Sequence, residues 1–397
     1  MEKLQEFAIC DPNDPWQAGQ SKSVTFIVTE DCQLCCEYCY LSGKNSIHKM
    51  SFGVARRTID YVLRERGLFS EASVVWDFIG GEPLLEIDLI DKICDYIKLQ
   101  MYELDHPWFN SYRFNFSTNG LLYSDEKVQK YIKKNKRHLS VTISIDGTKE
   151  KHDAQRVFPD GGGSYDDVVK NIPLWLRQFP NANTKATVSH EDLPYLKDSI
   201  IHLWELGIKN IAINTINEDV WKLGDDVLFE DQLLQLADYI IEQGLYITHN
   251  CSFFSKSIGN PININNDINW CGTGKMLAVD GNGTFYPCVR FAQYSLQNKS
   301  ARLIGNCFDG LHMNKLRPFL ALTRTAQSPG KCLECEVASG CAWCPGNNYD
   351  TAETDTIFQR AIYTCDMHKA RVRANHYFWE KLQKQSDSQS GKSFQEV

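Results

Sequence analysis

The sequence predicts an α/β protein: a partial (β/α)6 barrel over residues 23–245, then a small Cys-rich domain over residues 246–380. Three observations predict it. Strand-like and helix-like segments alternate about six times between residues 20 and 245. Repeated βα units imply a parallel sheet, because each crossover carries a helix. Six units are too few for a closed eight-stranded barrel, so a partial barrel or an open sheet is expected, with functional groups at the C-terminal strand ends. Beyond residue 250 this alternation stops, and Cys, Asn and Gly accumulate among short elements. Finally, the chain holds 15 cysteines but none between Cys94 and Cys251, which marks two cysteine regions separated by a scaffold.

The elements follow in order. Residues 1–22 are an N-terminal segment. "SVTFIVTED" (23–31) is β-branched and alternating, a strand that runs into the first cysteine loop. "FGVARRTIDYVLRERG" (52–67) has helical period and stops at Gly67. "ASVVWDFIGGEP" (72–83) is a strand ending in Gly-Gly, "IDLIDKICDYIKLQMYEL" (87–104) a helix, and "YRFNFSTNG" (112–120) a strand ending at a turn. "SDEKVQKYIKKNK" is a helix with Ser124 as its N-cap. The series continues with strand "HLSVTISIDG" (138–147), helix "YDDVVKNIPLWLRQF" (165–179), strand "TKATVS" (184–189) and helix "LKDSIIHLWELG" (196–207). Strand "IKNIAINTI" (208–216) and helix "DQLLQLADYIIEQG" (231–244) complete it. Past residue 250, "DGNGT" signals a hairpin. "CDMHKARVRANHYFWEKLQK" is a final helix; residues 381–397 are a polar tail, of which Ser386–Val397 is expected to be disordered.

Composition excludes several classes. The formal charge is −8 and the pI about 5.7, which argues against non-specific binding to a nucleic-acid backbone. No apolar run approaches the roughly 20 residues that span a bilayer, and the first residues carry no signal-peptide core. The chain therefore reads as soluble and cytoplasmic, with neither nucleic acid nor membrane as partner. In a reducing compartment, so many cysteines point to metal or redox chemistry rather than disulfides.

Cys32, Cys36 and Cys39 have the spacing C-x3-C-x2-C. Three thiolates on one loop hold three irons of a [4Fe–4S] cluster and leave the fourth iron without a protein ligand. The competing reading is structural zinc, which wants four ligands and favours paired C-x2-C groups. A loop of this spacing after the first strand of a βα series, with the aromatic Tyr38 before its last cysteine, resembles the radical S-adenosylmethionine (SAM) superfamily. The resemblance implies that SAM chelates the open iron through its amino and carboxylate groups, and that Cys32, Cys36 and Cys39 form the catalytic cluster site. Taking Cys35 instead of Cys36 gives C-x2-C-x3-C, which does not fit that family.

Further segments extend the resemblance. "GGEP" (Gly80, Gly81, Glu82, Pro83) ends the second strand; glycines let backbone approach a ligand closely, and a glutamate accepts from an ammonium group. In that position it matches the superfamily's SAM-amino motif. Ser144 and Asp146, in "ISIDG", are candidate contacts to the ribose or methionyl part, although Asp-Gly also serves as a plain turn. The segment "HDAQRVFPDGGGSYDDV" resembles that of peptide-modifying members, which implies that Arg156 pairs with the SAM carboxylate, as suits an Arg fork. Gly161–Gly163 read as turn glycines, since no P-loop lysine and hydroxyl follow.

In the second region, Cys271 and Cys288 flank "GTGKMLAVDGNGTFYP", and "CLECEVASGCAWC" supplies Cys332, Cys335, Cys341 and Cys344 before Cys365. By spacing alone, two Fe–S clusters and a double zinc site completed by His368 remain open. The set closely resembles the SPASM extension of radical SAM peptide maturases. Carried over, Cys332, Cys335, Cys341 and Cys365 would hold an outer auxiliary cluster, and Cys271, Cys288 and Cys344 an inner one. Two departures stand out. The last pair is C-x2-C where many members have C-x3-C, and Leu277 stands near the extra inner-cluster cysteine of sulfatase-maturing members. The inner cluster then has an open iron, or Cys307 in "IGNCFDG" completes it; Cys307 is otherwise a small buried cysteine.

The C-terminal segment is similar to maturases of Cys-rich or CXXX-repeat peptides, grouped with the ranthipeptides. The implied cofactors are SAM and three [4Fe–4S] clusters, one SAM-binding and two auxiliary. The implied reaction installs Cys thioether crosslinks, sulfur to a carbon of an acceptor residue such as an acidic one, in a Cys-rich precursor peptide. An electron donor such as flavodoxin or ferredoxin is implied. The strands begin near residue 23, leaving no room upstream for the winged leader-recognition domain of several relatives, so the leader is expected on an exposed strand edge. The alternatives are formylglycine formation of the anaerobic sulfatase-maturase type, and a zinc-stabilised binding module without catalysis.

Overall fold

The computed structural model describes residues 21–41, 47–262, 269 and 271–392, with side chains to residue 385. Most of the N-terminal segment, with Cys10, and the last five residues of the tail lie outside the described residues. Six parallel strands carry the fold: β1 (Ser21–Thr29), β2 (Ser73–Gly80), β3 (Tyr112–Thr118), β4 (Leu139–Ile143), β5 (Asn183–Val188) and β6 (Asn210–Thr215). Strands β1 to β4 pair in chain order. Strand β5 pairs with β6, and β6 with a two-residue β7 (Asn250–Cys251). A single parallel bridge, Ser144 to Lys185, joins the two groups. The result is an incomplete barrel.

Side-chain alternation explains why the barrel is hollow. Phe26, Trp76, Phe78, Phe114 and Phe116 are fully buried and share one core with helix residues such as Ile59, Ile90 and Ile93. Successive strand residues point to opposite faces. The alternate set, including Thr25, Asp77, Asn115 and Lys185, is polar and lines an interior cavity.

The crossover helices are α1 (Phe52–Arg64), α2 (Ile87–Glu103), α3 (Glu126–Asn135), α4 (Lys149–Gln155), α5 (Tyr165–Val169), α6 (Ile172–Gln178), α7 (Leu196–Glu205) and α8 (Asp225–Glu242). Several boundaries differ from the sequence reading. Helix α3 is capped by Asp125, whose carboxylate accepts from the Lys127 N–H at 2.8 Å, and not by Ser124. The helix expected over 165–179 is two, because Pro173 lacks an N–H and starts a new first turn. Helix α4 was not predicted; it is seven residues long and capped by the Thr148 hydroxyl. Helix α8 begins six residues before the expected Asp231.

The Cys-rich region joins the barrel sheet directly. The Asp280–Gly283 turn links β8 (Leu277–Val279) to β9 (Thr284–Tyr286), with β10 (Gly305–Asn306) and β11 (Gly310–Leu311) beyond. Strand β8 pairs in parallel with β1, Val24 opposite Leu277 and Phe26 opposite Val279. The C-terminal helix (Cys365–Lys392) packs along α8, with Arg373 on Glu230 and Tyr377 on Asp238. It runs on into the segment expected to be a disordered tail, which holds no proline to stop it.

Candidate active site at the strand ends

A cavity of ≈ 690 Å³ opens inside the barrel at the C-terminal strand ends. Cys32, Cys36 and Cys39 are on its wall; Cys35 is not. The loop that carries them is laced to the end of α4 by two backbone bonds, Cys35 N–H to Val157 O (2.8 Å) and Glu37 N–H to Gln155 O (2.9 Å). The unpredicted helix thus sets the position of the cysteines.

The Gly-Gly pair acts on the same loop. The Gly81 N–H donates to Thr29 O at 3.0 Å and the Glu82 N–H to Asp31 O at 2.8 Å. A Cβ at Gly80 would stand 2.0 Å from Thr29 O; one at Gly81, 2.1 Å from Asp31 O. The glycines therefore admit the chain's own backbone, so that the cysteine loop and the end of β2 can meet. Glu82 is buried and lines the cavity. Its carboxylate accepts from the Leu84 N–H (3.0 Å), the Thr118 hydroxyl (2.7 Å) and the Asn119 N–H (2.7 Å). With about four lone-pair sites on a carboxylate, one remains for a ligand. Burial raises its pKa, against those three donors and Arg156. Pro83 opens the short helical turn that follows and is not on the cavity wall.

Tyr38, Asp146 and Arg156 form one network. The Tyr38 hydroxyl donates to Asp146 at 2.5 Å and accepts from Arg156 at 2.7 Å. Asp146 also accepts from the Thr187 N–H at 3.0 Å. Burial pushes the Asp146 carboxyl up, but Lys151, Arg156, His152 and Tyr38 outweigh it and hold it below its ordinary value. Asp146 is fully buried and off the cavity wall, whereas Ser144, Tyr38 and Arg156 are on it. Asp146 thus holds Tyr38 and, through it, Arg156, instead of reaching a ligand. The Arg156 Nε is buried without a hydrogen-bond partner.

The second cysteine region sorts into two groups. The Thr273 hydroxyl lies 3.2 Å from Cys271 Sγ and 3.8 Å from Cys288 Sγ. Burial, then Cys271 and Cys344, push the Cys288 thiol up, so these three sulfurs are electrostatic neighbours. Cys344 also reaches the cavity wall. Cys341 neighbours Cys365 and Cys332, and accepts from Arg360 at 3.2 Å. Burial raises its pKa, opposed by Arg360 and Arg324. Cys335 precedes Cys341 on the same turn segment. Cys307 belongs to neither group: its sulfur packs over Gly283, near Val54 and Arg57. Its place is a packing position between the β9 hairpin and α1. The His368 Nε2–H donates to Val337 O (2.6 Å), and burial lowers its pKa to about 4. A neutral ring facing a carbonyl must donate there.

Two features escaped the sequence reading. Tyr40 stacks under the Arg290 guanidinium at 4.4 Å. Its hydroxyl is pushed up by burial, with Cys39, Cys288 and Cys344 among its charged neighbours, so it lies between the first loop and the second region. The other is the polar layer of Asp77, Asn115 and Lys185. Its trace in the sequence is a polar residue inside each strand, Asp77 in "SVVWDFIG", Asn115 in "YRFNFST" and Lys185 in "TKATVS", with no sign of which face each takes.

Comparisons with known proteins now bear on this site. Residues 26–191 match the Radical SAM superfamily model. An uncharacterized protein of Methanocaldococcus jannaschii, MJ0907, is 31% identical over 49% of this chain and 63% of its own length. The chain thus spans less than two thirds of that relative. The mycofactocin maturase MftC of Mycolicibacterium smegmatis is 26% identical over 80% of this chain and 76% of its own. The serine-type anaerobic sulfatase-maturating enzyme of Bacteroides thetaiotaomicron is 23% identical over 80% and 81%. Among solved structures, anSMEcpe with bound AdoMet has a TM-score of 0.66 at 19% identity, covering 93% of this chain and 96% of that one. Streptococcus suis SuiB bound to precursor peptide SuiA has 0.57 at 15%, covering 86% and 75%. These likenesses establish the fold: a radical SAM partial barrel followed by a Cys-rich, SPASM-type region.

The residues present fit a cluster and SAM. Three cysteines share a wall with Glu82, which retains an acceptor site, and with Arg156, whose Nε donor is unfilled. Among the described residues no three His, Cys, Asp or Glu side chains converge on a single-ion site. A four-iron cluster takes each thiolate at a different iron, so its ligands need not converge on one point.

Proposed function

We propose that this chain is a radical SAM enzyme, as the match of residues 26–191 to the Radical SAM superfamily model supports, and that it installs thioether crosslinks in a Cys-rich precursor peptide. One observation carries the reading: a single cavity has on its wall both the C-x3-C-x2-C cysteines and Cys344 of the inner group. Radical generation and a sulfur-binding site would share one chamber. Cys32, Cys36 and Cys39 would hold a [4Fe–4S] cluster, which with SAM would supply radical chemistry able to abstract hydrogen from carbon. Glu82 would accept from the SAM ammonium group and Arg156, held by Tyr38 and Asp146, would donate to its carboxylate.

Cys271, Cys288 and Cys344 would hold the inner auxiliary cluster, and Cys332, Cys335, Cys341 and Cys365 the outer. Three protein thiolates leave one position for a substrate cysteine. The net change would be loss of two hydrogens, one as an atom from the acceptor carbon to the SAM-derived radical and one as a proton from the thiol, with one electron accepted by an auxiliary cluster. An electron donor such as flavodoxin or ferredoxin would supply the reducing electron. SuiB, whose fold is similar, was solved bound to its precursor peptide SuiA, which supports a peptide substrate here. Among the described residues no helix is long and apolar enough to cross a membrane.

A second reading, oxidation of Cys or Ser to formylglycine, is favoured by the likeness to the sulfatase-maturating enzyme. The same experiment separates the two. The reconstituted protein is incubated anaerobically with SAM, reductant and a Cys-rich peptide from a neighbouring reading frame. Loss of two hydrogens with loss of one alkylatable thiol per crosslink supports the thioether; a product aldehyde overturns it. Three clusters require about twelve irons per chain.

A further inference from the structure

We infer that Lys185 is a specificity-determining residue that receives an acidic side chain of the peptide substrate. The inference rests on the peptide-substrate reading above and adds the chemistry of the residue placed at the site. It starts from the layer of inward-facing side chains on the barrel strands. Thr25 stands opposite Asp77 in the pairing of β1 with β2, and Asp77 opposite Asn115 in that of β2 with β3. Lys185, on β5, faces the same cavity. More than a third of its surface is exposed, and it is on the cavity wall. A ligand inside the barrel can therefore reach the amine.

Among the described residues that amine has no hydrogen bond and no ion pair. Asp77, Cys39 and Asp146 act on it through charge alone, with no ion pair formed. The two oxygens of Asp77 are occupied instead, Oδ1 by the Asn115 amide at 2.6 Å and Oδ2 by the Thr25 hydroxyl at 3.5 Å. The buried lysines, by contrast, are satisfied. Lys151 donates to Thr187 O at 2.7 Å and lies 3.9 Å from Asp192; Lys22 donates to Lys275 O and lies 3.7 Å from Glu71. A cation on a cavity wall with no protein partner stays available to an anion that enters the cavity, and a charge-assisted hydrogen bond there is stronger than a neutral one. Around it the wall offers further donors and acceptors, the Asn115 and Asn214 amides and the Thr187 hydroxyl, and no second carboxylate pairs with it. The matching ligand group is a carboxylate small enough to enter a barrel lumen, which on a peptide is an Asp or Glu side chain. The competing anion is the carboxylate of SAM. Arg156, with its unfilled Nε beside the cysteine loop, is the better placed cation for that group.

The test uses a set of labelled synthetic peptides that contain a cysteine and differ only in carrying Asp, Asn, Glu or Gln at one position. Binding is measured anaerobically on the reconstituted full chain with SAM and without reductant, so affinity is read apart from chemistry. Wild type is expected to bind an acidic peptide about ten- to a hundredfold tighter than its amide twin, the range of one charge-assisted hydrogen bond. Lys185→Met is expected to erase that preference, and Lys185→Arg to keep it; the Arg variant separates loss of charge from loss of fold. Three results would overturn the inference: no acid-over-amide preference in wild type, a preference that survives Lys185→Met, or an Lys185→Met defect confined to SAM affinity. If the preference is found and Lys185-dependent but no thioether forms on adding reductant, the reaction assigned above fails and the recognition residue stands.

Discussion

Gly81→Ala tests how the cofactor loop is built. An added Cβ would sit 2.1 Å from the Asp31 carbonyl oxygen, 2.5 Å from its carbon and 2.9 Å from Cys32 Cβ. Two of these three atoms are backbone, so no side-chain rotation relieves the clash. The end of β2 must part from the cysteine loop, stretching the bonds Gly81 N–H to Thr29 O and Glu82 N–H to Asp31 O. Overpacking costs about 1–3 kcal/mol, and two weakened backbone bonds add about 1–3 kcal/mol. The expected loss is therefore about 2–6 kcal/mol, a large share of the roughly 5–15 kcal/mol that stabilises a domain. The assay is anaerobic urea unfolding of the apoprotein, followed by iron content after reconstitution. Gly67→Ala is the control, since no atom lies within 4 Å of its added Cβ, and it should shift stability by less than about 0.5 kcal/mol. If Gly81→Ala matches that control and binds a full complement of iron, the close approach is not what the glycine serves.

Other expectations follow from the same geometry. Cys36→Ala should abolish reductive SAM cleavage and Cys35→Ala should retain it, because only Cys36 reaches the cavity wall; equal 5′-deoxyadenosine yields from the two variants refute the assignment. Tyr38→Phe removes the hydroxyl that joins Asp146 to Arg156. It should weaken SAM binding about tenfold by equilibrium titration, and unchanged affinity would mean Arg156 needs no such support. Burial pushes the Asp77 carboxyl up to about 6, against Asn115, Lys185 and Thr25. A carboxyl with a raised folded value holds its proton more tightly when folded, so its contribution is full below about pH 4 and is lost as pH rises through 6. Asp77→Asn should remove up to about 3 kcal/mol of that decline. Urea midpoints of wild-type and variant apoprotein that differ by a constant amount from pH 4 to 7 refute it.

Much of the barrel was legible because βα alternation is a local signal. Every one of the six strands begins within two residues of its expected start or ends within three of its expected end. What was missed depends on contacts distant in sequence. Helix α4 is only seven residues long, too short for a periodic pattern to emerge, yet its end holds the cysteine loop. The sites of Asp146 and Cys307 were ambiguous for a related reason. An Asp-Gly pair reads alike whether its carboxylate meets a ligand or Tyr38, and a cysteine reads alike whether it packs on Gly283 or faces two other thiols. Lys185 was invisible because which face of a strand looks inward is set by the pairing register, and only the pairing shows that its neighbours already have partners.

The pairing of β8 with β1 has a consequence for how the chain is made. The first strand, whose end delivers Cys32, remains an edge of the barrel sheet until residues 277–279 arrive. An unpaired strand edge invites pairing with other chains, and contacts so far apart in sequence form slowly. During synthesis the cysteine loop therefore emerges long before the strand behind it is covered. A chain released after residue 250 should aggregate through that edge, whereas the full chain buries it with its own hairpin. Loading iron onto the loop is then safest as a late event, after the ribosome has delivered the second cysteine region.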